Sequence, residues 1–216
     1  MNKSIWPRGE NTEVLIQAAR NGDPDAVNRL LDRHREGIRR LVEMRLDRKV
    51  QQRVDVSDVV QEVLVEASGR LDKYLDDPVM AFHLWLRQIA WDQIIDTYRR
   101  HRVSAKRNMD REQPMHSGGR GGVDESSVDL AIQLCDPAMT PAAVATQREI
   151  AGRVESAIDR LDDADREVIW MRHYEHLTNL EIAEALSLQP PAASMRYLRA
   201  MRRLRILLEQ EDESLS

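Results

Sequence analysis

The amino-acid sequence predicts an all-α protein made of two small helical domains joined by a flexible linker. Three observations lead there. Apolar residues recur at helical spacing over residues 10–104 and again over 146–210, and no run fits the strict alternation of a half-buried strand better than it fits a helix. Aromatic residues are 4% of the chain against 42% hydrophobic and 32% charged, a balance that suits helices better than a β-sandwich. Residues 105–145 contain "NMDREQPMHSGGRGGVDESS" and "DPAMTP", whose Gly, Ser, Pro and charge bury too little apolar surface to order themselves. A short helix around "SSVDLAIQL" is compatible with such a linker. With 216 residues the chain is long enough for two small domains.

The N-terminal domain reads as a series of helices. "NTEVLIQAARNG" puts Val14, Leu15, Ala18 and Ala19 on one face and stops at Asn-Gly. "DPDAVNRLLDRHREGIRRLVEMRL" opens with Asp23 as a cap and Pro24 in the first turn, with Val27, Leu30, Leu31, Ile38, Leu41 and Val42 as its apolar set. "DVSDVVQEVLVEASGRL" turns Val56, Val59, Val60, Val63, Leu64 and Ala67 inward and Asp58, Gln61, Glu62 and Glu66 outward. "DDPVM" breaks the chain. "AFHLWLRQIAWDQIIDTYRRHR" is then a longer helix with Phe82, Trp85, Leu86, Ile89, Ala90 and Ile94 on its apolar side. Trp85, among apolar neighbours, reads as core rather than as an exposed wedge.

Three more helices follow the linker. "REIAGRVESAIDRL" aligns Ile150, Val154, Ala157, Ile158 and Leu161. "DDADREVIWMRHYEH" brings Val168, Ile169 and Met171 near Leu161 and carries acids in its first turn, where the helix dipole favours them. Thr178 and Glu181 have the spacing of a capping box, so the next helix starts near Thr178 and turns Ile182, Ala183 and Leu186 inward. Ser187, Leu188 and Gln189 form a tight turn. The last helix starts at a proline pair, with Pro190 as cap and Pro191 as first helical residue. A residue before proline avoids helical angles, and the first N–H groups of a helix lack intrahelical partners in any case. Ala193, Tyr197, Met201, Leu204 and Leu208 then face inward, and Ser194, Arg196, Arg199, Arg202 and Arg203 face outward. Two short helices, a tight turn and a basic outer face make a helix-turn-helix, whose second helix enters the major groove and bonds guanine edges or phosphates through Arg. The bland alternative is a solvated basic face on an ordinary helical bundle, and spacing alone favours DNA binding over it.

Net charge is −5, which argues against a general nucleic-acid binder. Its distribution is more telling. Residues 1–100 carry 17 basic and 17 acidic groups, 151–190 carry four and nine, 191–208 carry five arginines and no acid, and the last eight residues carry four acids. A local basic face on an acidic chain suggests a placed contact. No stretch approaches the roughly 20 apolar residues of a membrane helix. The N-terminal "MNKSIWPRGENTEV" lacks the apolar core of a signal peptide. The single Cys135 supplies neither an internal disulfide nor a cysteine metal cluster. The expectation is a soluble, reduced, cytoplasmic protein with no membrane partner, no cofactor and no metal. His173 and His176 flank Glu175 in "RHYEH", but H-E-x-x-H is missing, and "GGRGG" lacks the strand-and-helix context of a phosphate loop. An enzyme is disfavoured.

The quoted motifs resemble the bacterial sigma-70 family of RNA polymerase specificity subunits, in its extracytoplasmic-function class. "DVSDVVQEVLVEA" is similar to the family's D-x-x-D-x-x-Q-E pattern through Asp55, Asp58, Gln61 and Glu62. "FHLWLRQIAWDQIIDTYRR" matches at Phe82, Trp85, Leu86, Ile89, Ala90, Asp96 and Arg99. "DDADREVIWMRHYEHLTNLEIAEAL" matches at Arg166, Glu167, Arg172, Glu181, Ile182, Ala183 and Leu186. The resemblance implies a division of labour. Asp55, Asp58, Gln61 and Glu62 would hold the clamp coiled coil of core RNA polymerase. Residues from about Leu71 to Arg102 would capture melted −10 promoter DNA, with Lys73, Tyr74, Arg87, Trp91, Tyr98, Arg99 and Arg100 as candidates. The helix-turn-helix would read the −35 element through Pro191, Ser194, Arg196, Arg199, Arg202 and Arg203 while the polymerase flap contacts the same domain. An anti-sigma protein is a further partner the family admits. Pro190, Pro191, Ala192, Ala193 and Ser194 stand where the family often has Glu-Gly-Thr-Val-Lys, and Asp92 where it usually has Asn. The competing reading is a polymerase-independent helix-turn-helix regulator, which predicts a dimer on a palindrome and gives the acidic helix no role.

Overall fold

The computed structural model describes residues 4–7, 9–46, 48–108, 126–127, 129–130 and 144–215. Among them the regular elements are helices, with no strand. The chain divides into two compact units, Met1–Met115 and His116–Ser216. Most of the expected linker, residues 109–125 and 131–143, lies outside the described residues.

The first unit contains α1 (Glu10–Arg20), α2 (Pro24–Arg45), a short α3 (Arg48–Gln51), α4 (Val56–Asp76) and α5 (Phe82–Asn108). α2, α4 and α5 pack on one another, and α1 rests on α2. Leu30, Ile38, Leu41, Val42, Val63, Ala67, Leu86 and Ala90 are fully buried between them. Each large side chain of this set stabilises the unit by about 1.5–3 kcal/mol relative to leaving it in water. Asp23 caps α2 as its sequence suggests, accepting from the Asp25 and Ala26 amides at 2.9 and 3.3 Å. The Asn-Gly stop of α1 is real: Gly22 takes φ +85°, a conformation open to glycine. The face of α1 differs from expectation. Val14 is 63% exposed, while Thr12, Ile16 and Ala19 are buried. A polar residue sets that rotation, because Thr12 Oγ1 accepts from Arg33 Nε at 3.1 Å and lies 3.4 Å from His34 Nε2.

The second unit contains α6 (Val144–Asp159), α7 (Asp163–Ile169), a π-helical turn (Trp170–Tyr174), α8 (Asn179–Ala185) and α9 (Pro190–Leu215). Asp162 caps α7 through the Asp165 amide at 2.9 Å. The capping box of α8 is present: the Glu181 amide donates to Thr178 Oγ1 at 3.2 Å, and the Thr178 amide donates to Glu181 Oε2 at 2.7 Å. The core holds Val154, Ala157, Ile158, Leu161, Val168, Ile169, Met171, Leu177, Ile182, Ala193, Ala200 and Leu204.

Two expectations are corrected here. The first concerns burial inside the expected linker: Ser126, Ser127, Asp129 and Leu130 are helical, where a short helix is compatible with the sequence, but Ser127 and Leu130 are also fully buried. Ser127 Oγ donates to Glu155 Oε1 at 2.6 Å and lies 3.0 Å from the Tyr174 hydroxyl, so a polar residue in a polar stretch finds buried partners the composition does not reveal. The proline pair also sits one residue deeper than expected. Pro190 is already helical, and Gln189 is the cap, its carbonyl accepting from the Ala193 amide at 3.0 Å. Neither proline needs an N–H in the first turn, and that outweighs the bias of a residue before proline against helix.

Candidate nucleic-acid and polymerase interfaces

The helix-turn-helix consists of α8, its turn and α9. The turn reverses at Ser187, which takes φ +53°. The Ser187 amide donates to the Glu184 carbonyl at 3.1 Å and the Leu188 amide to the Ala183 carbonyl at 2.8 Å, the pairing of a Schellman motif. Asn179 Nδ2 donates to the Pro190 carbonyl at 3.1 Å and ties the start of α9 to the start of α8. His173, in the π turn, shares a hydrogen bond of 3.0 Å with the Tyr197 hydroxyl. Burial, followed by the charges of Arg172 and His176, holds His173 near pKa 4, so it is a neutral ring at neutral pH. Burial also pushes the Tyr197 hydroxyl up. Three elements therefore fix the rotation of α9 about its axis.

On that fixed helix, Arg199 and Arg202 are exposed, Arg196 and Ser194 are half-buried, and Pro191 is exposed. Arg203 is placed differently. Its guanidinium pairs with Asp162 at 2.5 Å and with the buried carboxylate of Asp165, both at the N-terminus of α7. Its outward position is real, but its charge is engaged in holding α9 to α7. Arg203 thus has acidic partners within its own unit, as Arg100 has Glu62. Met195 and Leu198, 52% and 46% exposed, lie among the arginines. The helical pattern turns both positions outward, but nothing in the spacing marks an apolar contact among five arginines.

In the first unit, Asp58 and Gln61 are exposed on α4, with Glu62 half-buried beside them. Asp55 is the cap of α4 and accepts from the Ser57 amide at 2.8 Å, so its carboxylate also has a structural task. Val65, one turn beyond Gln61, is 63% exposed and extends the same face with an apolar group. Glu62 accepts both ends of the Arg100 guanidinium at 3.1 and 2.6 Å. That bond keeps the Glu62 carboxyl below its ordinary range and pushes Arg100 up.

The candidates for melted DNA do not converge on one pocket. Lys73 and Tyr74 lie near the end of α4, and from Arg87 to Arg100 the others are spread over about 20 Å of α5. Tyr74 and Arg87 are each 6% exposed. Tyr74 stacks 4.7 Å from Trp85 and donates to the Met80 carbonyl at 2.9 Å. Burial corrects the expectation that these two face DNA. Trp91 lies under the Arg45 guanidinium at 4.7 Å, and the Tyr98 hydroxyl donates to the Arg45 carbonyl at 2.9 Å, so both gather at the end of α2. Arg99 pairs weakly with Asp96 at 3.3 Å and is exposed, as is Lys73. Among the described residues no group of three or more His, Cys, Asp or Glu is arranged to hold a metal ion, and no helix is long and apolar enough to cross a membrane.

A helix-turn-helix with a cationic outer face, on a chain with a second helical unit bearing an acid-and-amide face, is a layout suited to duplex DNA on one unit and a basic protein partner on the other. Residues 28–103 match sigma-70 region 2, and residues 151–204 match sigma-70 region 4. The chain is 30% identical over 159 residues to the RNA polymerase sigma factor CnrH of Cupriavidus metallidurans, covering 74% of this chain and 76% of that protein. It is 27% identical over 202 residues to the sigma factor NccH of Alcaligenes xylosoxydans xylosoxydans, covering 91% and 94%. It is 24% identical over 190 residues to the ECF RNA polymerase sigma factor SigW of Bacillus subtilis, covering 88% and 92%. The solved structure of CnrH in complex with the cytosolic domain of CnrY has the same fold, with TM-score 0.54 and 24% identity, over 93% of this chain and 99% of that one. The chain belongs to the sigma-70 family, in its extracytoplasmic-function class. It is a sigma factor, and it directs transcription initiation by RNA polymerase at promoter DNA.

Proposed function

We propose that residues 10–104 bind core polymerase and the −10 element, and that residues 146–210 bind the −35 element as duplex. The observation that carries this reading is that each unit bears one face of distinct charge: Arg196, Arg199 and Arg202 on α9, and Asp58, Gln61 and Glu62 on α4. The cationic face suits phosphates and guanine edges, while Met195 and Leu198 beside it suit thymine methyl groups. The acid-and-amide face suits the basic helices of the polymerase clamp, and Val65 adds the apolar contact that desolvates it. Lys73 on α4 and Trp91, Tyr98, Arg99 and Arg100 on α5 track the backbone and bases of the melted strand. The polymerase flap contacts the second unit.

The protein does no chemistry of its own in this reading. It works in the cytoplasm, where polymerase and DNA are. The CnrH structure contains the cytosolic domain of CnrY, and by analogy an anti-sigma protein restrains this chain. Reconstitution with core polymerase on a genomic promoter library tests the whole scheme. Selective initiation at promoters sharing two spaced elements is expected; initiation equal to that of core polymerase alone sinks it.

A further inference from the structure

Trp6 lies ahead of the first helix, yet it is only 2% exposed. Its seat is Gly37, in the middle of α2. A Cβ at Gly37 would stand 2.8 Å from Trp6 Cε3 and 2.9 Å from the Ile5 carbonyl oxygen. Glycine weakens a helix interior; here its missing side chain lets residues 4–7 lie against the bundle. The ring's neighbours are His34 of α2, with centroids 6.4 Å apart, and His83 in the first turn of α5, at 6.2 Å. Aromatic contacts continue from there. His34 meets Phe82 edge-on at 5.1 Å, and Phe82 meets Tyr74 at 5.4 Å and Trp85 at 5.5 Å. Tyr74 then holds the Met80 carbonyl, in the loop joining α4 to α5. Trp6 Nε1 and His34 Nδ1 are buried with no hydrogen-bond partner among the described residues. Shape and apolar burial hold the arm rather than directional bonds at those atoms.

We propose that residues 4–7 form an arm whose Trp6 positions the α4–α5 loop and the start of α5, and so sets how well this sigma factor captures melted −10 DNA. Trp6 touches no DNA in this role. It acts through Phe82, Tyr74 and Trp85, which gives the buried Tyr74 a task. The inference rests on the assignment of residues 71–102 to the −10 element.

The test uses the full chain, first alone and then with core polymerase. Trp6→Ala and Gly37→Ala each unseat the arm, and Trp6→Phe keeps a ring in the seat. In hydrogen exchange, the two disruptive variants lose protection over residues 77–89 by about tenfold, with α8 and α9 unchanged and Trp6→Phe close to the parent. In the holoenzyme, on a promoter selected by the parent protein, permanganate reactivity of melted thymines falls with the same ranking while affinity for core polymerase holds. Unchanged protection over 77–89 overturns the positioning claim. Lost protection with parental melting overturns its link to capture. Absence of melting with the parent chain itself strikes instead at the −10 assignment, and unchanged far-UV helicity separates every case from misfolding.

Discussion

Arg199 and Arg203 are one turn apart on the recognition helix, yet they end in different environments. Arg199 is exposed, whereas Arg203 bridges Asp162 and Asp165. Replacing Arg196 and Arg199 together by Ala is therefore expected to weaken −35 duplex binding and to flatten its log–log salt dependence by about 2, measured by fluorescence anisotropy across salt concentrations. Arg203→Ala is expected to leave that slope unchanged and to lower the melting temperature instead. On α4, Asp58→Arg replaces an exposed acid in the surface proposed to meet polymerase. It should reduce recovery of core polymerase in a pull-down without altering helicity, and equal recovery counts against the clamp contact. The direction of a side chain on a regular helix was legible, which is why Arg199, Arg202, Asp58 and Gln61 lie where the spacing puts them. The partners of Arg203 were not, because they stand 41 and 38 residues earlier in the chain. Tyr74 and Arg87 were misread for a related reason: an amphipathic side chain shows its polar tip in the sequence and its burial only in the packing.

Caps and stops account for most of what could be read at the level of elements. Asp23, Asn21-Gly22 and the Thr178–Glu181 box each announce a boundary by chemistry local to a few residues. The π turn at Trp170–Tyr174 has no such signal. It is recognised by bonds such as Glu175 amide to Trp170 carbonyl, 3.1 Å, and helical spacing over five residues does not distinguish it from α. Ser187 holds the left-handed position after α8, where glycine is the unstrained residue. Ser187→Gly should stabilise the second unit by about 1 kcal/mol, seen as a higher thermal midpoint; a lower midpoint would show that the serine side chain compensates. The buried histidines make a pH prediction. Burial lowers His34 to about 3 and His173 to about 4, from 6.5. Unfolding lets each bind a proton, so their stability contribution is complete above pH 6.5 and is lost as pH falls toward those values. The slope is up to about 1.4 kcal/mol per pH unit for each histidine, and the double variant His34→Gln with His173→Gln should flatten the fall in midpoint between pH 6.5 and 4.

For the molecule as a whole, the division of charge matters more than the net value. An acidic chain with one arginine-rich helix face stays off bulk DNA and meets it where that face fits. The two units carry unlike surfaces, and under the proposed division of labour one copy serves two unlike promoter elements. Native mass spectrometry of the holoenzyme on its promoter should show one copy of this chain per polymerase; two copies would revive the dimeric regulator. Two helical units around a polar stretch were evident from composition. That Ser127 and Leu130 belong to the second unit was not, because the helical spacing of "SSVDLAIQL" does not name the partners, Glu155 and Tyr174, that lie 28 and 47 residues further on.

The start of α9 has one more consequence. A helix N-terminus is ordinarily an anion site, because its first amides point outward unpaired with the positive end of the dipole behind them. Pro190 and Pro191 delete two of those four donors. The leading backbone of α9 therefore keeps half of the usual donors for a phosphate, and in the proposed role more of its grip on the DNA strand falls to side chains. Phosphate contact becomes something this protein can change one arginine at a time, while its backbone adds little attraction for the wrong site.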